Sequence, residues 1–206
     1  MLTKEEIKIV ELFRKDLFKE YTIKEIQAKI AKKSYNWVFE AVKKLDALNL
    51  IKIEKKGASN ICSLNLDNHL TLSYLALLEE FNVESKKLPK KNINELINTI
   101  SLGYFTFIIA GSYVEGKTSK TSDLDIVVIA GDDVDTRRIL TILKNKGSLM
   151  VPETHPYVFT KTEFLKMLLN NEENYGKMIY RKRLIAFGAE NYYLIIREAI
   201  KNGFKG

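Results

Sequence analysis

Apolar residues recur at helical spacing from the first turn onward. Ile7, Val10, Phe13 and Leu17 follow Thr3-Lys4-Glu5-Glu6, a capping-box sequence, and together they predict a first helix. A second box, Thr22-Ile23-Lys24-Glu25, opens a short helix with Ile23, Ile26 and Ile30 facing inward. Ala31-Lys32-Lys33 reads as a turn and Ser34 as the cap of a third helix. The buried stripe expected there is Val38, Ala41, Val42, Leu45 and Leu48, with Tyr35, Asn36, Trp37, Glu40, Lys43 and Lys44 toward solvent. The period then shortens: Leu50 to Glu54 and Ile61 to Leu66 read as strands around a turn, Lys55-Lys56-Gly57-Ala58-Ser59-Asn60. Leu70, Tyr74, Leu77, Leu78 and Phe81 predict an amphipathic helix over residues ~68–83. The polar, proline-containing run Glu84 to Asn92 reads as a linker.

Beyond it the pattern changes character. Residues 104–110 are an aromatic and β-branched run, the signature of a buried strand, and Gly111-Ser112 ends it. A second apolar strand runs Leu124 to Ile129. Asp132, Asp133 and Asp135 are placed to cap a helix at ~134–146. Leu149 to Phe159 reads as a third strand with Val151, Glu153, His155 and Tyr157 on one face. Thr160-Lys161-Thr162-Glu163 opens a helix, and Glu172 to Arg183 forms another, whose Arg181, Lys182 and Arg183 are read by default as a solvated face, with contact to nucleotide or a partner as the alternative. Leu184 to Gly188 is a brief strand or turn, and Glu190 to Lys201 closes the chain with Tyr193, Ile196, Ala199 and Ile200 inward. The expected class is α+β with two domains: residues 1–66, a connector helix and linker at 67–92, and a small mixed sheet with flanking helices at 93–206.

Three helices followed by a β-hairpin is the order of a winged helix. The stretch from Val42 to Lys52 resembles the end of a recognition helix running into the wing in many prokaryotic regulators. Charge supports this. The chain carries 33 Lys+Arg against 26 Asp+Glu, a net +7. Residues 1–66 hold 14 against 9 and the other 140 residues 19 against 17, so the basic excess sits in the first third and favours double-stranded DNA as partner. The resemblance implies that the third helix enters the major groove by its N-terminal residues, Lys33, Ser34, Tyr35 and Asn36, with Lys43 and the wing lysines Lys55 and Lys56 on the phosphates. A protein-interaction or dimerisation module is the competing reading, and the connector helix is of the kind that packs on its own domain or builds a homodimer.

The chemistry lies in Gly111-Ser112, a ten-residue loop, and Ser122-Asp123-Leu124-Asp125 at the start of the second apolar strand. Residues two apart on a strand share a face, so Asp123 and Asp125 point together while Leu124 and Ile126 enter the core. Two such acids repel unless a cation lies between them, and hard oxygen ligands suit Mg²⁺ or Mn²⁺ with substrate phosphate oxygens completing the shell. Gly111 lets the backbone approach a phosphate. Ser112, Ser122 and the loop lysines Lys117 and Lys120 are candidates for holding a triphosphate.

Strand, Gly-Ser, this spacing and Asp-x-Asp resemble the polymerase-β-like nucleotidyltransferases, most nearly the minimal domains of prokaryotes, over residues ~93–206. The resemblance implies transfer of a nucleoside monophosphate from a nucleoside triphosphate, with two Mg²⁺ bridged by Asp123 and Asp125, to a hydroxyl on protein, RNA or a small molecule. It also implies a third carboxylate on a neighbouring strand. No Asp stands there. Glu153 is the expected substitute and His155 the next. The alternative is therefore a DNA-binding regulator whose nucleotidyltransferase-like domain is weak or inactive and only senses nucleotide. A scaffold using neither ligand is a third possibility.

Other classes are excluded more simply. No apolar run approaches the ~18 residues a membrane helix needs. A signal peptide's apolar core is absent from the first residues, which makes a cytoplasmic location the expectation. A single cysteine, Cys62, permits neither an internal disulfide framework nor a Cys-rich zinc site.

Overall fold

Capping chemistry sets the first helices where the sequence places them. In α1 (Lys4–Lys15) the Thr3 side chain accepts the Glu6 N–H while the Glu6 carboxylate accepts the Thr3 N–H at 2.7 Å. Residues Tyr21–Thr22 form a short strand, β1, before Thr22 closes a second box on α2 (Ile23–Lys29). Ser34 caps α3 (Tyr35–Ala47), whose Val38, Ala41, Val42 and Leu45 are buried. Leu48, expected in that stripe, is instead 37% exposed because the helix ends at Ala47 and the chain turns at Asn49 with φ 56°. β2 (Ile51–Lys56) and β3 (Ser59–Leu64) make the hairpin, and β3 also pairs with β1, giving sheet order β1-β3-β2. The two-residue β1 is too short to show a period, so the sequence did not announce it. The structure, a computed structural model, describes every residue except Ala58, Lys120 and Thr121. The predicted hairpin turn at Ala58 and the candidate Lys120 therefore lie outside the described residues.

α4 (His69–Glu84) follows, but not with the predicted face inward: Leu72, Leu75 and Leu78 are buried, whereas Leu70, Leu77 and Phe81 are exposed. The helix is apolar around most of its circumference, so spacing alone selects no unique face. α5 (Lys90–Thr99) begins inside the stretch read as linker. Pro89 stands at its N-cap, and Ile93 and Leu96 enter the core.

A four-stranded mixed sheet then forms, in the order β6-β5-β4-β7. β4 (Phe105–Ile109) leads through α6 (Ser112–Glu115) to β5 (Leu124–Ala130), antiparallel to it. α7 (Thr136–Gly147) crosses over to β6 (Thr154–Thr160), which is parallel to β5. Asp135 alone of the three predicted caps binds the α7 N-terminus, accepting the Arg137 and Arg138 N–H groups; Asp132 accepts the Thr162 N–H and hydroxyl at 2.8 Å. Residues 149–153 precede the strand rather than belong to it. α8 (Lys161–Leu169) starts at a third capping box on Thr160, and α9 (Tyr175–Arg181) is shorter than expected. β7 (Leu184–Phe187) joins the sheet beside β4, and α10 (Ala189–Lys201) ends the fold.

One sheet face, with Phe105, Phe107, Leu124, Ile126 and Val128, packs on Ile93 and Leu96 of α5 and Ile139 and Leu143 of α7. The alternate residues, including Ile108, Val127 and Ile129, are buried on the other face, where α8 and α10 contact β5 and β4. This double burial explains the unbroken apolar runs of β4 and β5. The class is α+β, and contacts divide the chain into two compact units, Met1–Leu78 and Glu79–Gly206. Among the described residues no helix is long and apolar enough to cross a membrane.

Candidate active site

β5 places its acids as alternation requires. Leu124 and Ile126 are fully buried, while Asp125 between them keeps about a third of its side chain exposed, and Asp123, just before the strand, nearly half. The start of β5 is pinned on both sides: Leu124 N–H donates to the Glu153 carbonyl at 2.8 Å, and Ala110 N–H to the Asp125 carbonyl at 2.9 Å.

Gly111 follows Ala110 with φ 67° and ψ −146°, a region essentially reserved for glycine. A Cβ built there would stand 2.1 Å from Asp125 Oδ2. The glycine is thus required twice, by its backbone angles and by the carboxylate against it. Gly111→Ala is expected to cost about 1–3 kcal/mol and to displace Asp125; a thermal melt paired with a nucleotide titration checks both effects.

On the parallel neighbour, His155 is the register partner of Asp125. Its Nδ1 lies 3.9 Å from Asp123 Oδ2 and 3.9 Å from Asp125 Oδ1. Burial raises the Asp125 carboxyl pKa above its ordinary value; His155 opposes this and the Asp123 charge reinforces it. Burial, with the Asp123 charge, likewise raises the Tyr113 phenol. Two hard carboxylates converging at a cleft fit a divalent cation by donor chemistry. Glu153 is not gathered with them: it is exposed ahead of β6, and among the described residues no three His, Cys, Asp or Glu side chains form a metal-holding group.

Asp125 opens into a cleft of about 750 Å³ whose lining includes Gly111, Ser112 and Asp125 on one side and Tyr157, Tyr175, Met178 and Ile179 on the other. The Tyr157 and Tyr175 rings are tilted at 49° with centroids 4.9 Å apart. Burial, with the nearby Tyr157 and Asp125, drives the Tyr175 phenol well above its ordinary pKa. Lys117, Arg181 and Lys182 add positive charge to the lining. Glu115 pairs with both lysines, at 3.2 Å from Lys117 Nζ and in contact with Lys182 Nζ, and so tethers them beside the turn. Ser122 is not in the cleft lining; its hydroxyl accepts the Ser119 N–H at 2.8 Å.

Of the candidates read from the sequence, Gly111, Ser112, Lys117 and Asp125 line the cleft; the opposite wall was not among them. Tyr175, Met178 and Ile179 reach the cleft through the docking of α9, for which no local signal exists. Arg183, read as solvated, turns inward instead: its guanidinium lies over the Tyr180 and Tyr192 rings at 5.3 and 4.7 Å.

In the first unit, Lys33, Ser34, Tyr35 and Asn36 are all exposed around the start of α3. The Ser34 hydroxyl accepts the Trp37 N–H, and the Tyr35 ring stacks with Phe39. Lys43 lies over the Phe39 ring at 4.6 Å, Lys55 is exposed, and Lys56 pairs with Glu20 at 2.8 Å.

Comparison with curated proteins gives no match. Among solved structures, the chain resembles one described as the crystal structure of a toxin–antitoxin with AMP-PNP, at 17% identity and a TM-score of 0.41, over 56% of this chain and 86% of that one. Residues 90–180, which include β4, β5, β6 and most of the cleft lining, match the family described as nucleotidyltransferase domain.

Proposed function

We propose that the second unit transfers a nucleoside monophosphate from a nucleoside triphosphate to an acceptor hydroxyl, and that the first unit binds double-stranded DNA as a winged helix. The first half rests on one observation: Asp125 lies against Gly111 in the lining of a cleft with basic and aromatic side chains, and Asp123 stands with it around His155 Nδ1, each carboxylate 3.9 Å from that nitrogen. Asp123 and Asp125 would hold a divalent cation, Mg²⁺ or Mn²⁺, whose chemistry is to neutralise phosphate charge and orient the α-phosphate. Gly111 and Ser112 would receive the β- and γ-phosphates, with Lys117, Arg181 and Lys182 offsetting their charge. Tyr157 and Tyr175 offer aromatic surface to the base. The acceptor oxygen attacks the α-phosphorus as its proton passes to water, the bond to the bridging oxygen breaks, and pyrophosphate leaves. Incubation with each α-labelled triphosphate, Mg²⁺ and candidate protein, RNA and small-molecule acceptors tests this; label on an acceptor with equimolar pyrophosphate supports it.

The alternative of a nucleotide-sensing regulator is favoured by one feature, the lack of a third carboxylate beside Asp123 and Asp125 among the described residues. Metal-dependent binding without label transfer to any acceptor would select it.

The DNA half is supported by the exposed residues Lys33, Tyr35 and Asn36 at the head of α3 and by a hairpin with Lys55 and Lys56. Lys33→Ala is expected to weaken binding uniformly across sequences and to lower the salt slope by about 1, whereas Asn36→Ala should relax preference at one base position. Shift assays over a salt series check both, and binding indifferent to salt would contradict the assignment.

A further inference from the structure

Position 155 decides how many cations the site can hold. In a two-metal site the ions stand about 3.5–4 Å apart and bring four positive charges together, so the protein must answer with several anionic ligands. Here two carboxylates are present, and the group on the adjacent strand is an imidazole. Its Nδ1 is 3.9 Å from both Asp123 Oδ2 and Asp125 Oδ1, and the residue is the register partner of Asp125 on β6. Imidazole nitrogen suits zinc, copper, iron and nickel, whereas magnesium and manganese take carboxylate, carbonyl and water oxygens. Glu153 does not supply the missing oxygen, since no third acidic side chain joins the two aspartates among the described residues.

Resting on the nucleotide-binding reading of this cleft, we infer that the site takes a single hard divalent cation, carried with the triphosphate, and that the want of a carboxylate at position 155, where His155 stands, sets this count. The formal charge of the pair, −2, balances one divalent ion. That ion completes its shell with phosphate oxygens and water. A second would meet the nitrogen and its own repelling neighbour.

The test counts ions rather than turnover. The full chain is loaded with Mn²⁺ and a non-hydrolysable nucleoside triphosphate analogue at equimolar nucleotide. Bound Mn²⁺ is read from loss of the free-ion paramagnetic resonance signal, and nucleotide uptake is measured separately by calorimetry. The wild type should take up one Mn²⁺ per bound nucleotide, His155→Asn should also take up one, and His155→Asp should take up two. Should His155→Asp melt early, His155→Glu carries the same added charge and decides the matter. Two ions in the wild type overturn the inference while leaving nucleotide binding intact, as does a folded His155→Asp that still holds one. Absence of nucleotide uptake by the wild type removes the underlying reading of the cleft, and the inference with it.

Discussion

Asp125→Asn is expected to lower nucleotidyl transfer by about 10³-fold without unfolding the chain. The carboxylate lies against Gly111, shares a face with Asp123 and lines the cleft, so in the proposed reaction it touches the cation that orients the triphosphate. Asparagine keeps the shape and one oxygen but removes the charge. Burial and Asp123 both disfavour the ionised acid, with His155 opposing, so its loss relieves a repulsion and the melting temperature should hold or rise. Pyrophosphate release and a thermal melt on the same preparation separate the two effects. Full transfer by a folded Asp125→Asn would remove this residue from the chemistry.

Arg183→Leu is expected to destabilise the second unit by about 3–5 kcal/mol. Glu79 is fully buried, and the Tyr193 hydroxyl donates to its Oε1 at 2.6 Å. Burial acts to lower the Arg183 guanidinium pKa, but Tyr192, Tyr193 and Glu79 outweigh it and hold the pKa above its ordinary value, so the guanidinium and this carboxylate feel each other's charge. Removing it takes a positive charge away from a buried carboxylate, and that desolvation cost is expected to dominate over the leucine's apolar gain. Glu79→Gln should recover much of the loss when added to Arg183→Leu, because it removes the stranded charge. Denaturant unfolding of the two single variants and the double gives the coupling directly; additive effects would contradict a charge-paired cluster.

Much of the fold was legible because local rules and tertiary packing agree. Thr3, Thr22, Ser34 and Thr160 were read as caps from short sequences, and each caps the predicted helix. The twin apolar runs of β4 and β5 showed strands buried on both faces, and the Asp interruption in the second marked where the sheet opens to the cleft. What failed to show depended on partners distant in sequence. β1 exists only by pairing with β3, α4 could have buried more than one face, and the stretch before Asn92 looked like linker although it holds the first turn of α5. Arg183 read as surface because its compensating Glu79 lies over a hundred residues earlier in the chain. The strand expected from Leu149 starts only at Thr154, which leaves Glu153 ahead of the sheet and gives the place beside Asp125 to His155. Spacing alone could not separate those two.

The account turns on whether Asp123 and Asp125, under the Gly111–Ser112 bend, take up a triphosphate through a divalent ion. Calorimetric titration of the full chain with a non-hydrolysable triphosphate, with and without Mg²⁺ or Mn²⁺, tests this most directly. One nucleotide per chain should bind when metal is present, and binding should weaken at least about tenfold when metal is withheld or Asp123 becomes Asn. Equal affinity with and without metal, or no uptake under either condition, would contradict the account.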